Sequence, residues 1–81
     1  MGRQAKGIKD KELAKLIYKL SKNLHEYRTS KGLTLQELAT YARVATSTVW
    51  ELENGKAEDL RLGTITAIAE QLDIDPLKLL S

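Results

Sequence analysis

The sequence contains no cysteine, which excludes disulfides and thiolate zinc sites. Its one histidine, His25, is too few for an imidazole metal site. No apolar run approaches the roughly 18 residues that a membrane-crossing helix needs. No stretch alternates apolar and polar residues in the two-residue period of a strand, and no internal repeat or low-complexity segment is present. The opening residues, Met-Gly-Arg-Gln-Ala-Lys-Gly, are basic but lack the apolar centre of a signal peptide. A cytoplasmic, reducing location is therefore expected. No carboxylate pair, nucleophile–base pair or metal cluster stands out that capping or ion pairing does not explain. We expect no enzyme, no cofactor and no metal.

Eighty-one residues suffice for one domain with a modest core, whose stability is a few kcal/mol or is shared with a partner. The net charge of +2 conceals an asymmetry. Residues 1–31 hold nine Lys/Arg against three Asp/Glu, and residues 32–81 hold four against eight. The first part is thus +6 and the second −4, a split that suggests an anion at one end. Lysines on a solvated helix face give the same split without any partner.

The chain reads as five helices, an all-α fold with an N-terminally extended first helix. Residues 1–9 read as a flexible basic arm, either tracking phosphates or simply a frayed terminus. Residues 10–81 read as a single domain. From Asp10, a plausible N-cap, to about Ser30, Leu13, Leu16, Ile17, Leu20, Leu24 and Tyr27 form one apolar stripe at three- and four-residue spacing. Lys11, Lys15, Lys19 and Lys22 take the other side, and Gly32 is a plausible stop. The stripe is longer than a small core requires, so its excess is available to a second subunit. His25 and Tyr18 lie off it.

Residues 34–54 carry the helix-turn-helix pattern. Thr34-x-x-Glu37 is a capping box. Leu38, Leu35 and Ala42 face the core, and Ala39 stands where a second helix must cross closely. The next helix runs from about Thr46 to Asn54 on Val49 and Leu52 and stops at Gly55. Two short helices with a turn of three or four residues have the geometry that reads DNA. A fourth helix spans about 62–72, with Ile65, Ile68, Ala69 and Leu72 inward. Asp75 caps a last short helix with Pro76 in its first turn. Leu77, Leu79 and Leu80 either close the core or meet a partner's equivalent turn.

From about Lys22 to Leu80 the chain resembles the lambda repressor/Cro-type helix-turn-helix family, also called the xenobiotic response element type. The resemblance rests on Lys31-Gly32-Leu33-Thr34, Glu37-Leu38-Ala39, Thr48-Val49, Leu52-Glu53-Asn54-Gly55-Lys56 and Ala69-x-x-Leu72-x-Ile74. It implies five helices, with Thr46–Asn54 as a recognition helix in the major groove of double-stranded DNA. It also implies an ion pair between Arg28 and Glu53, where either charge alone would be uncompensated. By the same resemblance Thr46, Ser47, Trp50 and Glu51 face bases. Gln36, Arg43, Thr48, Lys56 and Arg61 face phosphates, together with the N-terminus of the second helix near Leu35.

The chain departs from the family pattern at three positions. Leu35 replaces a common glutamine, Arg43 a common glycine in a left-handed turn, and Ala45 the usual Ser or Thr cap, unless Thr46 caps instead. The reading face has no Arg, Lys or Gln for bidentate base contacts. Glu51 can accept from cytosine N4. Trp50 can lie against a thymine methyl or a sugar edge, or serve as a packing or protein-contact residue. The first eighteen residues extend past the family's usual start and serve either dimerisation or an arm on DNA.

The primary expectation is a compact homodimeric transcriptional regulator, with no ligand or protease domain following. An alternative is an antitoxin that binds both operator DNA and a toxin protein, since Glu58–Ile65 is similar to a segment of antitoxins that neutralise kinase-type toxins. A third is a protein-interaction module that has lost DNA binding.

Overall fold

A computed structural model describes residues 2–81, with side chains from Lys11 onward. Five helices follow in order: α1 Gly2–Ser30, α2 Leu35–Ala42, α3 Thr46–Glu53, α4 Leu62–Leu72 and α5 Pro76–Leu80. No strand occurs among the described residues. The first helix does not start at Asp10 but runs unbroken from Gly2. Gly7 weakens a helix by about 1 kcal/mol without ending it, and Asp10 can cap only where the preceding residues leave helical geometry. The side chains of the expected basic arm, 1–9, lie outside the described residues.

The core is one cluster to which every helix contributes: Leu20 and Leu24 of α1, Leu38 of α2, Val49 of α3, Ile65, Ile68 and Leu72 of α4, and Leu79 of α5. All eight are essentially inaccessible. Ala39 and Ala69 are buried as well, small side chains that let helices approach closely. α1 lies across α3 and α5, while α2 packs on α3 and α4. Of the three C-terminal leucines, Leu79 is buried, Leu80 packs against the core and Leu77 stands out in solvent. Asn23 fixes the last helix to α1 by donating its amide to the carbonyls of Lys78 and Leu79, at 3.2 and 3.0 Å.

Four helices end the same way, in a Schellman closure with one left-handed residue. At the end of α2 the Val44 N–H donates to Ala39 O (3.0 Å) and the Arg43 N–H to Thr40 O (3.2 Å). Equivalent pairs close α1 at Gly32, α3 at Gly55 and α4 at Asp73. Glycine adopts this conformation without a Cβ penalty. Arg43 (φ 61°) and Asp73 (φ 59°) carry one. Replacing Arg43 with glycine is expected to raise the unfolding free energy by about 0.5–1 kcal/mol. Urea denaturation of the two proteins side by side measures it; an unchanged or lowered midpoint would show that the arginine side chain offsets its own strain.

Candidate nucleic-acid interface

Thr34 opens α2 with a complete capping box. Its hydroxyl accepts from the Glu37 N–H (3.0 Å), and its own N–H donates to Glu37 Oε1 (2.9 Å). The Arg43 closure turns the chain, Val44 and Ala45 are extended or half-buried linkers, and α3 begins at Thr46. Ala45 is the N-cap of α3, and no side chain caps it. The alternative in which Thr46 caps and shifts the start by one is therefore not taken. The first N–H groups of α3 are left to solvent or to an acceptor from outside.

Val49 and Leu52 anchor α3 on the core. Glu53, one residue on, fixes the helix to α1. Its carboxylate takes two donors from Arg28, Nε to Oε2 and Nη2 to Oε1 (the latter 3.0 Å). The guanidinium also donates through Nη1 to Leu33 O at 2.6 Å, at the start of the link to α2. The two side chains are 13% and 5% exposed, so solvent screens the pair little. The hydrogen bond to Glu53 raises the Arg28 pKa, burial lowers it, and the carboxylate's charge raises it further. A raised arginine pKa contributes stability at every pH below its unfolded value, so this half of the pair does not titrate in the physiological range.

His25 lies off the apolar stripe of α1. It is exposed, yet its Nδ1 lies 3.1 Å from Glu53 Oε1. The legible signal was its position three residues before Arg28, one turn away on the same face of α1.

With its inner side so fixed, α3 presents Thr46, Ser47, Trp50 and Glu51 to solvent. Trp50 is 47% exposed. These residues and the half-buried Thr48 divide by direction. Thr48 and Glu51 line an open groove of about 680 Å³ between α3, the 54–61 loop and the first turn of α4. Lys56 and Arg61 line the same groove. Four of the nine residues matched to DNA contact therefore converge there. Glu58 and Asp59, which open the segment similar to antitoxins, line it too. Gln36 lies apart, in a hollow of about 310 Å³ at the start of α2 with Thr40 and Tyr41. Arg43 is exposed on the turn, and Thr46, Ser47 and Trp50 line neither cavity.

A helix-turn-helix family model, HTH_3, matches residues 24–79. The chain belongs to this family. Its lambda repressor/Cro-like members are DNA-binding transcription regulators, generally not enzymes. Among solved structures the chain is similar to the restriction-modification controller protein C.AhdI from Aeromonas hydrophila. The two are 35% identical with a TM-score of 0.73, over 78% of this chain and 94% of that one. It is also similar to SinR, the master regulator for biofilm formation, in a crystal structure with DNA. There the identity is 27% and the TM-score 0.73, over 76% of this chain and 98% of the other. No curated protein matches the chain. The family match starts at Leu24, so the first three-quarters of α1 lies outside it. Among the described residues no helix is long and apolar enough to cross a membrane.

Proposed function

We propose that this protein is a sequence-specific, double-stranded-DNA-binding transcriptional regulator that acts as a homodimer, with α3 in the major groove. The carrying observation is the outward row Thr46, Ser47, Trp50 and Glu51 on a helix whose opposite side is locked by Val49, Leu52 and the Arg28–Glu53 pair. A reading head needs that rigidity, because base contacts tolerate little displacement. Thr46 and Ser47 supply hydroxyls for base edges, Glu51 an acceptor for cytosine N4, and Trp50 an apolar face for a thymine methyl. Gln36, Arg43, Thr48, Lys56 and Arg61 flank them and serve phosphates. Two copies on a pseudo-palindrome would set half-sites about 34 Å apart.

Selection from a random duplex library at low and physiological salt tests this. The expected result is an enriched pseudo-palindrome bound less tightly as salt rises. Replacing Thr46, Ser47 and Glu51 together with alanine is expected to erase the sequence preference and leave salt-dependent binding to bulk DNA. Absence of both enrichment and salt-dependent binding would sink the reading.

A toxin protein as an additional partner is the second reading. It is favoured by Leu62, 74% exposed at the start of α4, within the segment similar to kinase-neutralising antitoxins. A kinase-like gene beside this one, whose product co-purifies with it, is the expected observation; a neighbourhood without a toxin gene removes this reading.

A further inference from the structure

The chain's one histidine sits at the seam between α1 and α3. His25 and Arg28 share a face of α1, three residues apart. Both reach Glu53, the last residue of α3. Arg28 gives the carboxylate two donors, Nε to Oε2 and Nη2 to Oε1, and commits Nη1 to Leu33 O. His25 Nδ1 lies 3.1 Å from Oε1. The carboxylate side chain is buried, whereas the imidazole is 60% exposed. The partner of a guanidinium fork is an ionised carboxylate, which only accepts hydrogen bonds. The proton of the imidazole contact therefore belongs to the ring, on Nδ1. The neutral Nδ1–H tautomer and the imidazolium both donate from that nitrogen, so the contact holds in either protonation state.

The two donors grip Glu53 from different places on α1. Three residues of helix separate them by about 4.5 Å along its axis. The fork alone joins α3 to α1 at one position; the imidazole adds a second, and two positions resist sliding and swinging where one does not. Val49 and Leu52 hold α3 by apolar burial, which is non-directional. Direction is left to the polar contacts. Glu53 stands at the far end of α3 from Thr46 and Ser47, about 10 Å away at the rise of an α-helix. A tilt of about 10° about Glu53 displaces those hydroxyls by about 2 Å, beyond the tolerance of a base-reading site.

We propose that His25 is a positioning residue for the recognition helix, donating Nδ1–H to Glu53 as the second attachment of α3 to α1. The proposal rests on the DNA-reading function above and adds a residue that sets its specificity. Two measurements test it. Nitrogen-15 NMR of the imidazole at about pH 8.5, above the range in which imidazole gains its proton, reads one ring only. The neutral wild-type ring is expected to carry its proton on Nδ1, and Arg28→Met, Glu53→Leu to show a mixture of tautomers. A wild-type ring protonated on Nε2 overturns the proposal. The second measurement is affinity for the selected duplex against bulk DNA. His25→Ala is expected to lower that ratio by roughly three- to tenfold, as for one lost hydrogen bond. His25→Asn carries its amide nitrogen at the branch Nδ1 occupies and is expected to recover it; His25→Gln, reaching one bond further, is not. Glutamine is the better helix former of the two, so a merely structural role would rank them the other way. Glutamine rescuing as well as asparagine, or His25→Ala keeping full discrimination, overturns this proposal alone. A wild type that selects no duplex removes the DNA reading and the proposal together.

Discussion

Replacing Glu53 with alanine is expected to cost about 3–5 kcal/mol of stability, because it leaves the Arg28 guanidinium nearly buried and unpaired. For a chain of this length the whole unfolding free energy is about 4–12 kcal/mol, so the variant approaches the limit of folding. The loss is not the worth of the ion pair. It is mostly the cost of an uncompensated charge that is 13% exposed beside the start of α2. The double variant Arg28→Met, Glu53→Leu is therefore expected to recover most of it and lie within about 2 kcal/mol of the wild type. Urea denaturation of the three proteins measures both. A single variant costing under about 1 kcal/mol, or a double variant no better than the single, would mean that the pair does not anchor α3 as its geometry suggests. In the double variant α3 keeps Val49 and Leu52 but loses the polar clamp. Its DNA specificity then reports whether the clamp also aims the helix.

Replacing Glu51 with glutamine is expected to change base preference more than any other single substitution on α3. A carboxylate accepts from cytosine N4 but repels the phosphates around it; a glutamine amide pairs instead with adenine N6 and N7. Each such pair discriminates by about 1–3 kcal/mol, or roughly 5- to 150-fold, at one base position. The groove makes the repulsion larger than Glu51 alone implies, since Glu58 and Asp59 line it beside Lys56 and Arg61. The variant is thus expected to bind bulk DNA more tightly at low salt and to move its preferred base from cytosine to adenine at one position in each half-site. Repeating the library selection with this variant is the measurement. An unchanged half-site would remove Glu51 from the base-reading set.

The scaffold was legible in the sequence because each of its signals is local. The Thr34–Glu37 box, the stops at Gly32 and Gly55, and the Asp75–Pro76 start are written within four residues of the places they act. The core followed from helical spacing, since Leu38, Val49, Ile65, Ile68 and Leu72 all recur on one face of their helices. Long-range polar contacts left no such trace. Asn23 reaching the carbonyls of α5 joins residues 55 and 56 positions apart. The convergence of Glu51 with Glu58, Asp59 and Arg61 depends on how the 54–61 loop folds back, which no periodicity records. The start of α1 was misjudged for a different reason: a capping residue is a signal only where the helix ends, and nothing before Asp10 ends it.

Trp50 is the single tryptophan in the chain, and it stands half-exposed on the outer face of α3 rather than in the core. The protein therefore carries an intrinsic optical probe on the surface proposed to meet DNA. Indole emission moves to shorter wavelength as water is withdrawn from the ring, while the three tyrosines emit elsewhere. Because the ring is not part of the core, its signal responds to what lands on α3 more than to how well the domain is folded. Titration of unlabelled duplex into unlabelled protein, followed by that emission, reads occupancy of this face directly.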